Sequence, residues 1–330
     1  MKKITMIDVA IEAGVSKSTV SQYINNRFEY MSQDTQKKIE QAIKELNYRP
    51  NTIARSLKQK TTFTIGVIVS NILHNFSTQV IRAIEDICHE QDFHVIVCNA
   101  DDKPEKEMKY IQMLRDKQVD GLIVFPTGGN KELYQELEAS KFPVVFLDRL
   151  LEGITMPAVL LDNKKAVQLA VDHLTMRGYG SILLVTNAIN QVYPRKVRVD
   201  AFLEYTQAIG KKGMDIHVLS RPLEEIQSEL KLLLKEQKID AIIAGNDLAL
   251  FEIFHVLHDE RIQIPSDIAL ISIDDTTFST FIKPELTAIA QPAFEMGTKA
   301  AHTLLDLIHQ KEVVNEVSYF EPTLRIRGTT

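Results

Sequence analysis

The chain has 330 residues, 45% of them hydrophobic and 25% charged, and a formal net charge of −6, which is apolar enough for large cores and too long for one ordinary domain. Cys88 and Cys98 are too few for a disulfide framework, and no His/Cys cluster has metal-ligand spacing, so neither a structural metal nor a cofactor is expected. The apolar stretch from Ile65 to Leu73 is interrupted by Ser70 and Asn71, and no charged-then-apolar leader opens the chain; a membrane span and a signal peptide are therefore not expected, and a cytoplasmic location is.

Thr5 precedes the apolar-periodic run Met6, Ile7, Val9 and Ala10, with Asp8 three residues on, which predicts a capping box and a short first helix. Gly14 breaks the run, and Ser16 stands where an N-cap is needed for a second helix from Lys17 to Tyr23. The pattern helix, tight glycine turn, helix leaves Lys17, Ser18, Ser21 and Gln22 on a polar face that could enter a DNA major groove. Ser32 caps a third predicted helix, Gln33 to Leu46, whose Ile39, Ala42, Ile43 and Leu46 recur at helical spacing and would cover the first two.

Periodicity of this kind occurs in any three-helix bundle, and charge separates the readings. Residues 1–60 carry eleven Lys and Arg against six Asp and Glu, a net +5, which leaves −11 on the rest of a chain whose total is −6. A basic head on an acidic body is the electrostatic footprint of a protein that presents one end to phosphate.

Beyond Thr62, short branched apolar runs alternate with amphipathic stretches. Strands are predicted at Thr64–Val69, Phe93–Cys98, Gly121–Phe125, Val144–Leu147, Ile182–Val185, Ala241–Ala244 and Ile268–Ile273. Helices are predicted at Phe76–Gln91, Glu105–Lys117, Lys164–Arg177, Val199–Ile209, Leu223–Glu236 and Leu248–Asp259. Such alternation argues for doubly wound parallel sheets, and its length argues for two lobes, divided near Asp162 and rejoined near Gln291-Pro292, with a cleft at the carboxyl ends of their strands. His74, Asn75, Phe76, Arg149, Asp162, Arg195, Arg198, Asn246 and Asp274 fall just after strand ends and are the candidate ligand contacts. Each has a plainer alternative: Asn163 and Asp247 could serve as helix caps, Arg149 could meet a surface carboxylate, and a helix-face arginine could be solvated.

Asp8-Val9-Ala10, Ala13-Gly14-Val15-Ser16, Ser18-Thr19-Val20-Ser21, Leu46-Asn47-Tyr48-Arg49-Pro50-Asn51 and Ala54-Arg55-Ser56-Leu57 together resemble the LacI/GalR family of bacterial repressors. The resemblance continues through Asp148-Arg149, Asp162-Asn163, Arg198, Ala201-Phe202, Asn246-Asp247, Asp274-Asp275 and Pro284-Glu285-Leu286-Thr287. It implies an all-α helix-turn-helix head at 1–49, a hinge helix and linker at 50–61, and a two-lobed α/β body like periplasmic binding proteins. The lobe nearer the DNA would comprise 62–161 and 291–320, the other 162–290 and 321–330. Operator contacts are then expected from Thr5, Ser16, Lys17, Ser18, Thr19, Ser21, Gln22, Asn25, Tyr48, Asn51, Ala54 and Arg55, with Leu57 wedged into the minor groove from a helix over 52–58. Pro50 suits the opening of that helix. The alternative for Leu57 is packing on its own domain.

Three departures from the family pattern stand out. Gln22 replaces a common Arg, and Gln pairs with adenine where Arg pairs with guanine, so a different operator base is expected. Asn75 replaces a common Pro and Ala201 a common Gly, which puts the backbone near Phe76 and Phe202 in question.

Arg149, Arg195 and Arg198 suit carboxylate or phosphate, while Asp274, Asn75 and Asn246 suit hydroxyls. The expected effector is an anionic sugar; neutral sugars remain an alternative, since their sites also use arginines. Motifs such as Tyr30-Met31-Ser32, Asn99-Ala100-Asp101-Asp102 and Phe125-Pro126-Thr127-Gly128 are similar to those of 2-keto-3-deoxygluconate operon repressors, which implies a sugar acid. Resemblance also implies a homodimer on paired half-sites, without the appended tetramerisation helix of some members, since no leucine heptad trails Leu324 to Thr330. A phosphoprotein corepressor is the alternative within the family. A transport solute-binding protein would need export and no head, and an enzyme would need a Walker loop, nucleophile elbow or metal cluster, none of which the sequence shows.

Overall fold

Three hydroxyl side chains start the three helices of the first of two compact units, Met1–Thr62 and Phe63–Thr330. The computed structural model describes residues 4–25, 27–29, 31–48, 61–190, 192–210, 214–314 and 316–330. Asn51, Ala54, Arg55, Leu57 and the expected helix over 52–58 lie outside the described residues.

In the head, α1 (Met6–Glu12) opens with the full capping box: the Thr5 hydroxyl accepts from the Asp8 amide, and the Thr5 amide donates to Asp8 Oδ2 at 2.7 Å. Gly14, at φ +63°, takes the left-handed conformation that turns the chain toward α2 (Lys17–Ile24). Ser16 caps α2 by accepting from the Thr19 amide at 3.1 Å, and Ser32 caps α3 (Gln33–Glu45) through the Thr35 amide at 3.2 Å. Val9, Ala10, Val20, Ile39 and Ala42 close the core, with Tyr48 packed among them.

The second unit holds two six-stranded sheets. The first has strand order β11-β5-β4-β3-β1-β2, from β1 (Thr64–Val69), β2 (His94–Asn99), β3 (Gly121–Val124), β4 (Val144–Leu147), β5 (Ala158–Leu161) and β11 (Val317–Phe320). The second has order β12-β10-β9-β8-β6-β7, from β6 (Ser181–Asn187), β7 (Asp215–Arg221), β8 (Ala241–Ala244), β9 (Ala269–Ile273), β10 (Thr287–Ala290) and β12 (Thr323–Arg325). Every pairing is parallel except β10 with β12. The two sheets repeat one winding scheme, so each has a switch point, between β1 and β3 in one and β6 and β8 in the other, where loops diverge and leave a crevice.

Helices cover both faces of each sheet because the strands are apolar on both faces. On the first sheet, α4 (Asn75–Glu90) and α11 (Ala293–Ile308) bury Val80, Ile84, Ala300 and Leu304 against Val67 and Ile123. On its other face, α5 (Pro104–Asp116) and α6 (Lys131–Ala139) bury Ile111, Leu114, Tyr134 and Leu137 against Ile68 and Val124. On the second sheet, α7 (Asn163–Met176) and α8 (Tyr193–Ile209) bury Val167, Val171 and Phe202 against Leu184 and Ile243. Opposite them, α9 (Leu223–Glu236) and α10 (Asp247–Asp259) bury Ile226, Leu230 and Ile253 against Leu183 and Ile242. Close approach dictates one glycine: a Cβ on Gly297 would lie 2.7 Å from the Val80 carbonyl oxygen.

The predicted helix from Val199 begins instead at Tyr193, because Pro194 occupies the first turn, where its missing N–H costs nothing. That extension brings Arg195 and Arg198 onto α8.

Candidate functional site

On α2, Lys17, Ser18 and Gln22 are exposed and Thr19 and Ser21 half-buried, so one polar face is open to a partner. Thr5 and Ser16 spend their hydroxyls on helix caps. Asn25 closes α2 and returns its amide to the Ser21 carbonyl at 2.6 Å. Tyr48 is only 8% exposed, and its ring is part of the head core.

In the second unit, the carboxyl ends of both sheets border one cavity of about 40 Å³. After β1 come Ser70, His74, Phe76 and Ser77; after β4, Asp148 and Arg149. The second sheet adds Arg195 and Arg198 from α8, Asn246 after β8, Asp274 after β9 and Gln291 after β10. Of the sequence-predicted contacts, His74, Phe76, Arg149, Arg195, Arg198, Asn246 and Asp274 thus meet at this cavity. Asn75 and Asp162 do not line it: the Asn75 amide donates to Asp247 Oδ2 at 2.7 Å, and Asp162 caps α7 by accepting from the Lys165 amide at 2.9 Å.

All three arginines are buried, at 3–9% exposure, so each must find partners. Arg149 Nη1 donates to Asp102 Oδ1 at 2.8 Å, and Arg195 Nη2 donates to the other oxygen of the same carboxylate at 3.2 Å. Burial alone would raise the Asp102 carboxyl, but the charges of Arg149 and Arg195 outweigh it and hold the group below its ordinary value, ionised. Arg198 is held by neutral groups, with Nε on Asn163 Oδ1 at 2.7 Å and Nη1 on the Gly245 carbonyl at 2.6 Å. Asn163 therefore does more than begin a helix, and the arginines of α8 face inward.

Asp274 sits at φ +142°, in a region that favours glycine, and receives a hydrogen bond from Gln291 Nε2. Burial, and then the charge of Asp247, push its carboxyl up to about 7, against the pull of Arg198. Arg327 grips the next residue, Asp275, through both terminal guanidinium nitrogens, Nη1 at 2.8 Å and Nη2 at 2.7 Å, and so anchors this loop to the C-terminal segment. Of two buried polar atoms on cavity-lining residues, Gln291 Oε1 has no hydrogen-bond partner among the described residues, and Arg149 Nε has only the Asp148 carboxylate, at 3.6 Å. They offer one donor and one acceptor to a ligand.

Asp148 and Gln291, which line the cavity, and Asp102, which bonds two of its arginines, were not predicted. Asp102 and Asp148 follow the ends of β2 and β4, and Gln291 follows β10, so the rule that selected the others could have found them. Among the described residues no group of His, Cys, Asp and Glu could hold a metal, and no helix is long and apolar enough to cross a membrane.

Residues 5–51 match the family of bacterial regulatory proteins of the lacI type, and residues 62–320 match the periplasmic binding proteins and sugar binding domain of the LacI family. The chain is 44% identical to the "Probable HTH-type transcriptional regulator EndR" of Paenibacillus polymyxa, over 94% of this chain and 93% of that one. It is 34% identical to the HTH-type transcriptional regulator KdgR of Bacillus subtilis (strain 168), over 92% and 91%. A crystal structure of the Lac repressor dimer bound to operator and the anti-inducer ONPF shares its fold, with a TM-score of 0.86 at 24% identity and 99% coverage of both chains. With a helix-turn-helix head, two sheets wound alike around a polar cavity and these matches over nearly its whole length, the chain belongs to the LacI family of bacterial transcriptional regulators.

Proposed function

We propose that this regulator is a homodimeric repressor whose operator binding is switched by a small anionic sugar, a sugar acid such as 2-keto-3-deoxygluconate being favoured. The observation that carries the reading is the convergence of Arg149, Arg195 and Arg198 with Asn246 and Asp274 on one buried cavity at the carboxyl ends of both sheets. Guanidinium groups match a carboxylate, and the amide and carboxyl groups match hydroxyls, so a hydroxylated acid satisfies both kinds of wall. The likeness to KdgR and the sequence motifs shared with that group support the choice of acid.

The proposed units are the head at 1–49, the hinge at 50–61, one lobe of 62–161 with 291–320, and another of 162–290 with 321–330. A ligand that prefers one arrangement of the lobes shifts the population of that arrangement, and coupling of about 1–3 kcal/mol per site is enough for a useful switch. Release of the operator by ligand is the expected direction.

A thermal-shift screen of sugar acids, phosphosugars and neutral sugars tests the reading, since a ligand that binds only the folded protein raises its Tm. A stabilising sugar acid that also changes operator affinity is expected. Stabilisation by a neutral sugar alone would replace the anion assignment, and turnover of the acid would replace the repressor assignment.

A further inference from the structure

Arg149 and Arg195 line the cavity, whereas the carboxylate they share, Asp102, does not. Asp102 reaches them from the turn after β2, and the two arginines come from different sheets: Arg149 follows β4, and Arg195 rides on α8. The turn is built to hold the carboxylate still. Asp101 and Asp102 both take left-handed conformations, at φ +52° and +54°. The Asp102 amide donates to the Ser70 carbonyl at 2.7 Å, and Asp101 is held by Lys106 Nζ and Asn99 Nδ2, each at 2.6 Å.

The third arginine differs. Among the described residues Arg198 has no carboxylate within bonding distance, and its partners are an amide oxygen and a backbone carbonyl. Asp148 Oδ2 also lies 3.6 Å from Arg149 Nε, so two carboxylates, Asp102 and Asp148, balance Arg149 and Arg195, and Arg198 is left without a bonded carboxylate.

We propose that Asp102 sets the charge class of the effector: by sharing its carboxylate between Arg149 and Arg195, with Asp148 beside Arg149, it leaves Arg198 as the one cavity-lining guanidinium without a bonded carboxylate, and so selects a singly charged sugar acid over its phosphorylated counterpart. This deepens, and rests on, the sugar-acid reading above. A phosphate group brings about −1.5 to −2 further charges. Those charges would meet two guanidinium forks already occupied and a fixed anion behind them in a site shielded from water, where repulsion is screened less than at the surface. With the Asp102 charge removed, the same two forks become free to take a phosphate bidentately. Asp102 touches no ligand in this scheme; it is a specificity-determining residue that acts through the two arginines.

The test is calorimetric titration of the full chain with 2-keto-3-deoxygluconate and with its 6-phosphate, for the native protein, Asp102→Asn and Asp102→Glu. Asp102 also joins the two sheets' loops, so its loss will weaken closure around either ligand, and the ratio of the two Kd values removes that shared effect. The native protein should favour the unphosphorylated acid; Asp102→Asn should move the ratio about tenfold or more toward the phosphate, and Asp102→Glu should restore it. A cooperative thermal transition establishes that each variant folds, and Asp102→Ser supplies the same readout if Asp102→Asn does not fold. If the native protein binds the acid and the ratio is the same in Asp102→Asn, the inference about Asp102 fails while the sugar-acid reading stands. A native preference for the phosphate also overturns it. If neither ligand binds any of the proteins, the sugar-acid reading fails and this inference falls with it.

Discussion

His74 Nδ1 and Asp247 Oδ1 lie 2.5 Å apart, the first in the segment after β1 and the second in the first turn of α10, so a single contact ties the loops of the two sheets across the cleft. The Asn75 amide adds a second strut to the same carboxylate. Asp247→Asn retains the shape of the latch and removes its charge, and hydrogen bonds to charged groups are worth about 1.5–3 kcal/mol. Effector Kd should therefore rise roughly tenfold in titration calorimetry. An unchanged Kd would mean that the latch carries none of the energy of closure.

Arg198→Ala removes the one cavity-lining guanidinium without a carboxylate partner and leaves Asn163 and the Gly245 carbonyl without their donor. Effector affinity should fall by about tenfold or more, while operator binding by ligand-free protein, followed by fluorescence anisotropy, stays at the native level. Undiminished release of operator by ligand would remove Arg198 from the site.

Asp274 gives the second unit a pH signature. Its carboxyl is raised from 3.8 to about 7, chiefly by burial, so the folded protein retains a proton that the unfolded chain has released. The associated stability is present at the acid end of that window and is lost as pH rises through it. Asp274→Asn has no proton to lose, so its Tm relative to the native protein should climb by several degrees between about pH 4 and pH 7 and then level off. A pH-independent difference would contradict this assignment.

Gln22 stands exposed on α2, where its amide can pair with adenine. Selection of sites from random DNA should recover adenine at one position with the native protein and guanine there with Gln22→Arg, a discrimination of about 1–3 kcal/mol. Identical selected sites from the two proteins would show that Gln22 reads no base.

Gly297 is the point where α11 meets α4. A methyl group there would lie 2.7 Å from the Val80 carbonyl oxygen and 2.9 Å from the Ala83 Cβ, so the helices must separate. Gly297→Ala should cost about 1–3 kcal/mol, despite alanine's better helix propensity, read as a lower midpoint in urea unfolding. An equal or higher midpoint would show that the helices yield without cost.

Local signals explain what was legible. Thr5, Ser16, Ser32 and Gly14 announce helix boundaries because caps and left-handed turns are short-range chemistry. The parallel core strands announce themselves because they are apolar on both faces. The short β10 and β12, of four and three residues, gain their identity from pairing with each other across 33 or more positions, and nothing in their own composition requires it. Asp102 was visible by its place after β2, but for the same reason its pairing was not, since its partners are 47 and 93 residues away. Arg195 and Arg198 were visible as candidates, but a helix read as starting at Val199 could not place them on it; Pro194 was the available signal.

The route of the chain between the sheets has a mechanical consequence. It crosses after β5, again after β10 and finally between β11 and β12, so three covalent straps join one half of the cleft to the other. A single strap would let the halves twist, slide and drift; three limit twisting and sliding and favour hinge-like bending. Ligand binding in such a body is converted into an angle, and the last strap, only Glu321 and Pro322 between β11 and β12, makes the closing residues of the chain part of the bearing.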